Sequence, residues 1–236
     1  NTLRLWSTSV LDYDQFNIKA FDKGDYQLAL NNVLCHDDLT MVSILYPNDS
    51  HDSGKRLRLK QQYILVSASM QDIIRTFKKS RLSFDMFHQK VAVQINDTHP
   101  SLVITELMRI LVDEENIEWE KAWDITVNTC AYTNHTVLSE ALEQWDAAMM
   151  KAILPRNFEI VEIINHDFCV SVGKKYSGDM DRVRRVSIVV DGKVRMANLA
   201  IVGSHSINGV AKLHTQIVKE EVLRDFYEIF PEKFNC

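Results

Sequence analysis

The chain is poor in cysteine, glycine and proline: its 236 residues include 4 Cys, 7 Gly and 4 Pro. None of Cys35, Cys130, Cys169 and Cys236 forms a Cys-x-x-Cys pair, so the sequence offers neither a zinc-knuckle pattern nor a dense disulfide framework. We therefore expect reduced thiols, which are usual in the cytoplasm. Because glycine and proline are sparse, long stretches contain no helix-breaking residue, which favours long helices.

Long apolar runs and a strong charge of either sign are also missing. No run approaches the roughly 18 apolar residues that cross a bilayer, and the residues from Asn1 to Trp6 do not read as a signal peptide, so we expect no membrane contact. With 27 Lys+Arg against 32 Asp+Glu the net charge is −5, which argues against nucleic-acid binding. The absent initiator Met leads us to expect a processed, trimmed or partial chain.

Several catalytic signatures are absent as well. The sequence has no Gly-x-Ser-x-Gly elbow, no phosphate-binding P-loop and no Gly-x-Gly-x-x-Gly fingerprint. The loop histidines lack the HxxxH and HExxH spacings of metal sites, so we expect no metal. A glycoside hydrolase with two catalytic carboxylates remains a possible alternative, because the two acids of such an enzyme can lie far apart in the chain. Asp49 and Asp97 are the pair to test.

Helical periodicity is the clearest feature that is present. Apolar residues recur every three or four positions over 57–79, 119–129 and 158–172, which predicts three amphipathic helices. We also expect helices over 137–145 and 210–226.

Strand signals are shorter. The β-branched run Val91–Ile95 predicts a strand, and we expect further strands at 44–46 and 199–202. Asp191-Gly192, between two apolar runs of the segment 187–196, is a strong signal for a hairpin turn.

The order strand, polar loop, helix occurs over 91–114 and again over 199–226, with Ser101 as the expected cap of the first of these helices. This order predicts an open α/β sheet with helices packed on it. Ligands of such sheets lie beyond the carboxyl ends of the strands. We therefore expect the polar loops 96–100 and 203–208 to lie where a ligand binds.

Three polar clusters could contribute to such a site: 48–51, 96–99 and 132–135. Their Asn, Asp, Thr and His side chains both donate and accept hydrogen bonds, as recognition of sugar hydroxyls requires. Gly203 and Gly209 could allow close approach of a ligand to the backbone. The alternative is purely structural, since the same residue types cap helices and close turns.

Eight stretches of the chain, in order and spread over almost its whole length, match one known family. They are Leu45–Asp49, Arg58–Gln61, Val91–Leu102, Thr129–Leu138, Glu140–Trp145, Gly178–Arg182, Gly203–His205 and Asn208–Ala211. In these stretches the chain resembles the α-glucan (glycogen/starch) phosphorylases.

The resemblance implies part of a Rossmann-like domain of the glycosyltransferase-B type, with a mixed sheet and flanking long helices. Residues 1–236 would be an internal piece of the N-terminal domain, without the C-terminal cofactor domain. The full-length enzyme would use inorganic phosphate to release glucose 1-phosphate from an α-1,4-glucan. Its cofactor would be pyridoxal phosphate, bound to a lysine of the C-terminal domain, and the isolated piece would be inactive.

The resemblance also implies roles for single residues. His135 matches the histidine that bonds the 6-hydroxyl of the glucosyl unit and whose backbone carbonyl supports the developing positive charge. Asp97 matches an aspartate of the glucose pocket, and Val210 matches a residue of the pocket wall. Asp49 matches the mobile gate loop, where Ser50 replaces an asparagine that contacts the glucose 2-hydroxyl.

The resemblance also implies how the enzyme would be regulated and how its subunits would assemble. Arg75 matches an arginine of the nucleotide phosphate site of AMP-activated members, but its usual arginine neighbour is Thr76 here. One guanidinium group offers one pair of N–H donors to a phosphate, where two arginines would bind it from both sides. We therefore expect weak or absent activation by AMP. Residues 26–34 match the inter-subunit tower helix, which implies a homodimer. The hairpin at Asp191 is shortened, which argues against a surface glycogen-storage site.

Two alternatives belong to other classes of protein. The chain could be a non-catalytic module that binds glucan or nucleotide, since it carries polar loops suited to sugar without a complete catalytic set. It could also be a degraded gene product without a role.

Overall fold

A computed structural model of the chain describes residues 4, 6, 19, 22–25, 42 and 44–235. It separates into two compact units, residues 1–69 and residues 70–236, which are described one at a time. The second unit is a mixed α/β structure with one parallel and one antiparallel sheet. Cys35, Cys236 and the 26–34 segment predicted to be a tower helix lie outside the described residues.

The first unit contains the start of a long helix, α1, which spans Asp52–Lys78 and confirms the helix predicted from periodicity. Leu59 and Val66, on the apolar face, are buried. The strand predicted at 44–46 is wrong, because Leu45 and Tyr46 form a bend and Tyr46 has φ 53°, outside the extended region. The side chain of Gln61 secures this segment, since its Nε2 donates to the Ile44 carbonyl at 2.7 Å.

The second unit contains short strands between helices. The strands are β1 (Val93–Asn96), β2 (Cys130–Thr133), β3 (Gln144–Asp146), β4 (Val189–Val190), β5 (Lys193–Arg195) and β6 (Ser206–Asn208). The further helices are α2 (Phe87–Lys90), α3 (Val103–Arg109), α4 (Trp119–Thr129), α5 (Ala147–Ile153), α6 (Pro155–Lys175), α7 (Met180–Val186), α8 (Met196–Val202), α9 (Lys212–Ile217) and α10 (Arg224–Ile229).

The parallel sheet has the order β1, β2, β6. Its register aligns Ile95, Tyr132 and Ile207 in one row, and all three are fully buried. Because side chains alternate between the faces of a strand, the next row points to the opposite face. That row ends the strands and is polar: it consists of Asn96, Thr133 and Asn208.

Two predicted elements of this sheet need correction. The apolar run 199–202 is the buried end of helix α8 and not a strand. A short apolar run has no periodicity to separate a buried helix from a buried strand. The strand is β6, a few residues later, so the polar loop at its carboxyl end begins at Gly209. The segment 130–133, which overlaps the polar cluster 132–135 and was not predicted as a strand, forms the central strand β2.

Several helix predictions hold in type and differ in detail. The helix over 119–129 is confirmed, and the one over 158–172 extends to Pro155–Lys175. The predicted helix 137–145 is wrong, because that segment holds a short 3-10 turn and strand β3.

Two other helix predictions differ from the structure, one in the continuity of the helix and one in its N-cap residue. The predicted helix 210–226 is divided by a π-helical turn at Val218–Val222. Ser101 does not cap α3, since the N-cap position is Leu102 without a side-chain bond.

The antiparallel sheet contains the predicted hairpin. Its strands have the order β3, β5, β4, and β4 joins β5 through Asp191 and Gly192. Both turn residues have positive φ, 50° and 70°, as a tight hairpin turn requires. The side chain of Arg184 forms an ion pair with Asp191 at 2.8 Å. The Asp-Gly signal therefore identified both the turn and its place.

Helices α4 and α6 pack against α3. A buried ion pair lies in this region: Glu106, with no exposed side-chain surface, accepts from Arg109 at 2.9 Å through each of its two oxygens. The Nδ2 of Asn157 donates to the same carboxylate at 3.1 Å. In the part of the chain that is described, no helix is long and apolar enough to cross a membrane.

Candidate functional site

Three residues predicted for the site follow the ends of three neighbouring parallel strands. Asp97 comes directly after β1, His135 two residues after β2, and Val210 two residues after β6. The carboxyl ends of parallel strands meet at one edge of a sheet, so the fold brings these three residues to the same edge. The sequence pattern predicted a strand followed by a polar loop at 96–100, but it missed β2 and placed the third strand too early.

Backbone hydrogen bonds continue the sheet past its last residues. The N–H of Asp97 donates to the carbonyl of Thr133, and the N–H of Asn134 donates to the carbonyl of Asn208, both at 2.9 Å. These bonds fix the backbone immediately after β1 and immediately before His135. The loops that carry the candidate side chains are therefore anchored on the sheet.

The imidazole of His135 is exposed at this edge and contacts β1. Its Nε2 lies 2.5 Å from Oδ1 of Asn96, the last residue of that strand. An amide oxygen only accepts, so Nε2–H donates in this arrangement, and Nδ1 of the neutral ring keeps its lone pair. The ring can then accept a hydrogen bond from a hydroxyl through Nδ1.

Asp97 occupies an unusual backbone position, with φ 63°. Aspartate is one of the few side chains that enter the left-handed region with ease. Its Oδ1 accepts from the N–H of Thr98 at 2.6 Å, and Thr98 itself is buried. The bond holds the carboxylate near the strand end as it leaves β1.

A buried polar pair lies behind the exposed groups. Tyr132 and Asn134 have no exposed surface, and Nδ2 of Asn134 donates to the Tyr132 hydroxyl at 3.0 Å. Burial raises the pKa of Tyr132, and the negative charge of Asp97 contributes in the same direction. The phenol is therefore neutral at physiological pH. Among the residues that the structure describes, Oδ1 of Asn134 has no hydrogen-bond partner, so an acceptor is buried behind the edge.

Val210 is 57% exposed, and its backbone is held in a turn after β6. Its N–H donates to Nδ1 of His214 at 3.1 Å, and the N–H of Gly209 donates to Oγ1 of Thr215 at 3.2 Å. These bonds connect the loop to the start of α9. The valine thus presents an apolar side chain beside the polar edge.

A ladder of polar side chains crosses all three strands, and no sequence pattern predicted it. Nε2 of Gln94 donates to Oγ1 of Thr133 at 2.8 Å, and that hydroxyl donates to Oδ1 of Asn208 at 3.0 Å. Nδ2 of Asn208 donates onward to the Gly209 carbonyl at 2.8 Å. The residues are far apart in the chain and meet only through the strand register, so no local pattern could have shown the ladder.

Asp49 and Ser50 belong to the first unit, in a turn immediately before α1. The N–H of Ser50 donates to Oδ1 of Asn48 at 3.0 Å, which is the local bond by which asparagine closes a turn. Oδ2 of Asp49 lies 2.6 Å from Nη1 of Arg58 on the helix. Both predicted residues are exposed, and the carboxylate of Asp49 is held in an ion pair.

Arg75 lies in the last turn of α1 and is 61% exposed. Its guanidinium is bonded to the carboxylate of Asp72, one turn earlier. Thr76 beside it is exposed as well and supplies no second cation. The pairing with Asp72 is the arrangement of a solvated helix end, so a nucleotide phosphate would have to displace a carboxylate.

The suggestion that two glycines allow close approach of a ligand is not what the structure shows at Gly203. A Cβ at this position would come within 2.6 Å of the Ile104 side chain, so the residue is glycine because a helix packs against it. At Gly209 a Cβ would come within 2.4 Å of the imidazole of His214, so that glycine also accommodates the protein itself.

A separate cavity of about 270 Å³ lies elsewhere in the second unit. Arg185 and Arg195 line it, and none of the predicted site residues does. Arg185 is paired with Asp225 through both carboxylate oxygens. Nη1 of Arg195 donates to the carbonyls of residues 184 and 185, at the end of α7, so this cation caps a helix.

Among the described residues, no group of three or more His, Cys, Asp or Glu side chains is placed to hold a metal ion. The edge instead offers amides, an imidazole, a carboxylate and hydroxyls, which is the chemistry of sugar recognition. Fold and site together define a mixed α/β protein with polar side chains at the carboxyl ends of three parallel strands.

Comparison with known proteins gives a more specific result. The family model for carbohydrate phosphorylases matches residues 1–236. The chain is 51% identical over 247 aligned residues to the muscle form of glycogen phosphorylase from Ovis aries, 50% identical to the muscle form from Homo sapiens, and 49% identical over 246 residues to the brain form from Mus musculus. Each alignment covers 100% of this chain and 29% of the relative. This chain belongs to the carbohydrate phosphorylase family.

Proposed function

We propose that the chain is part of an α-1,4-glucan phosphorylase. In the full-length enzyme, inorganic phosphate would cleave the terminal glucose of glycogen, starch or maltodextrin and give glucose 1-phosphate. Identity of about half of all positions to glycogen phosphorylases, over the whole chain, supports this proposal. The chain spans 29% of the length of these relatives, so the activity is proposed for a longer protein.

We propose further that residues 1–236 are an internal portion of the N-terminal domain, Rossmann-like and of the glycosyltransferase-B type. Three adjacent parallel strands, with helices between them in the chain, support this fold. The functional enzyme would be a cytoplasmic homodimer. The piece on its own would lack turnover.

In this proposal His135 and Asp97 contact the glucosyl unit. Nδ1 of His135 accepts a hydrogen bond from the sugar 6-hydroxyl, because Nε2 is already bonded to Asn96. The backbone carbonyl of His135 stabilises positive charge that develops as the glycosidic bond breaks, by electrostatic preorganisation. The carboxylate of Asp97 bonds the sugar through water, and Val210 forms part of the apolar wall.

The turn that contains Asp49 and Ser50 is proposed to act as a gate. Ser50 is shorter than the asparagine it replaces, so its contact with the glucose 2-hydroxyl would be weaker. We expect glucose to stabilise a closed gate less in this protein than in the muscle enzymes. Weak or absent activation by AMP is proposed on similar grounds, since Arg75 has Thr76 beside it in place of a second arginine.

Pyridoxal phosphate is the family's cofactor and supplies a phosphate group that exchanges a proton with the substrate phosphate. It is held through a lysine, and Lys233 is the lysine of this chain whose pKa is lowered by burial, to about 8. Its Nζ, however, donates to the carbonyls of Ile201 and Val202 and so caps helix α8. Lys233 does not fit the cofactor, which we propose lies on chain outside these residues.

Activity of the full-length protein provides the test. Wild type should form glucose 1-phosphate from maltoheptaose only when inorganic phosphate is present, and His135→Ala should lower this rate about 100- to 1,000-fold, as loss of a preorganised hydrogen-bonding group does. His205→Ala is a matched control, because His205 is also an exposed histidine but precedes β6, at the other end of that strand. It should keep the rate within about twofold.

Two results would reject the proposal. One is a full-length protein that forms no phosphate-dependent product, and the other is equal rates for wild type and His135→Ala. If residues 1–236 alone bound maltoheptaose or AMP in calorimetric titrations while the full-length protein showed no phosphorolysis, the chain would be a non-catalytic binding module.

A further inference from the structure

We propose that Asn96 is a positioning residue that sets the tautomer and ring orientation of His135, an inference that rests on the proposed role of His135 in sugar binding. The observation behind it is the contact of 2.5 Å between Oδ1 of Asn96 and Nε2 of His135. Asn96 is the last residue of β1, and His135 follows β2, 39 positions later in the chain. The sheet alone brings them together.

The backbone of both residues is fixed independently of this contact. Asn96 pairs in register with Thr133, and the residues next to the pair are bonded across the sheet through Asp97 N–H and Asn134 N–H. The imidazole itself is exposed, so burial does not fix its rotation about the side-chain bonds. Among the contacts that the structure gives for the His135 ring, the bond to Asn96 is the one that restricts this rotation.

The chemical consequence is specific to one ring nitrogen. Because the amide oxygen accepts, Asn96 selects the tautomer with hydrogen on Nε2 and a lone pair on Nδ1. A sugar hydroxyl can then donate to Nδ1 and keep its own oxygen free to accept. A ring with hydrogen on Nδ1 would instead donate to the sugar hydroxyl, so the direction of that bond would be reversed.

The experiment compares two sugar donors in the full-length enzyme. Glucose 1-phosphate carries the 6-hydroxyl, and 6-deoxyglucose 1-phosphate lacks it, so the ratio of their kcat/KM values in glucan synthesis reports the hydrogen bond to His135 directly. A site that bonds a hydroxyl rejects an analogue without it. We expect Asn96→Ala to lower this ratio about 10- to 100-fold, since small misplacement of a contacting group has effects of this size.

Gln94→Ala is the matched control. Gln94 is an exposed amide on the same strand and the same face, and it bonds Thr133 and not His135. It should retain the wild-type ratio. An equal loss in Asn96→Ala and Gln94→Ala would show that Asn96 only supports the strand end, and the proposal would be wrong.

Asn96→Asp tests the same contact by rescue. The carboxylate still accepts from Nε2–H, so the donor ratio should remain near that of wild type. A folded Asn96→Asp protein whose ratio falls about 10-fold or more would contradict the proposal, even if Asn96→Ala failed to fold.

His135→Ala separates this inference from the proposed function. If it abolishes the donor preference and Asn96→Ala leaves the preference intact, the positioning role is wrong and the proposed function stands. If His135→Ala has no effect on the preference, the proposed role of His135 in sugar binding is wrong.

Discussion

Substitution of Gly203 tests how closely helix α3 approaches the segment before β6. Gly203 follows α8 and has φ −85°, which any residue adopts, so backbone strain plays no part. A Cβ at this position would lie 2.6, 2.7 and 2.8 Å from Cγ2, Cδ1 and Cγ1 of Ile104. Ile104 is fully buried, and because protein cores are close-packed its side chain cannot move aside without displacing its neighbours.

The expected cost follows from this geometry. Overpacking of a close-packed core costs about 1–3 kcal/mol, and Gly203→Ala should destabilise the protein by that amount. For a unit of this size each kcal/mol lowers Tm by about 2–4 °C. Thermal unfolding followed by circular dichroism would measure the shift.

Gly173→Ala is the control, since this glycine lies inside helix α6 and a Cβ there would meet Val183 at an ordinary 3.9 Å. It should raise stability by about 0.5–1 kcal/mol, because alanine is the better helix former. The double variant Gly203→Ala/Ile104→Ala should be less destabilised than the sum of its single variants, by about 1–2 kcal/mol, as the added methyl enters the space that Ile104 leaves. Additive effects, or a Gly203→Ala protein as stable as wild type, would refute the close contact.

Three further predictions concern buried charged and thiol groups. Burial lowers the pKa of Lys233 to about 8, from 10.5 in the unfolded chain, so the unfolded state binds more protons between these pH values and stability should rise with pH there. Urea titrations from pH 8 to 10.5 should show a gain in stability of about 3 kcal/mol relative to Lys233→Met. Parallel stability curves for the two proteins would contradict this prediction. Burial raises the pKa of Cys130 to about 12, so iodoacetamide at pH 8 should label Cys169 of the native protein at least about tenfold faster than Cys130. Urea should abolish this difference in rate, and equal labelling of the two thiols in the native protein would be the contrary result. Arg109→Met removes the cation paired with the buried Glu106 carboxylate and should lower the free energy of unfolding by about 3–5 kcal/mol. Adding Glu106→Gln should restore part of this stability in denaturant titrations, and no recovery would argue against the ion pair.

Local sequence features predicted those elements whose signal lies within one short stretch. The periodicity of 57–79 gave α1 because its apolar residues repeat at the helical spacing and one face is buried. Asp191-Gly192 gave the hairpin because both residues tolerate positive φ. The run 199–202 was misassigned because it is buried on all sides within α8, so neither spacing nor polarity distinguishes its type.

The sequence by itself determined the family, the long helices and the residue types available to bind a sugar. Only the tertiary structure decided which of those residues meet: the register of β1, β2 and β6 places the Gln94–Thr133–Asn208 ladder across the sheet and brings Asn96 to the imidazole of His135. These contacts join residues dozens of positions apart. They depend on strand pairing and burial, which are properties of the folded chain and are not encoded in any one segment.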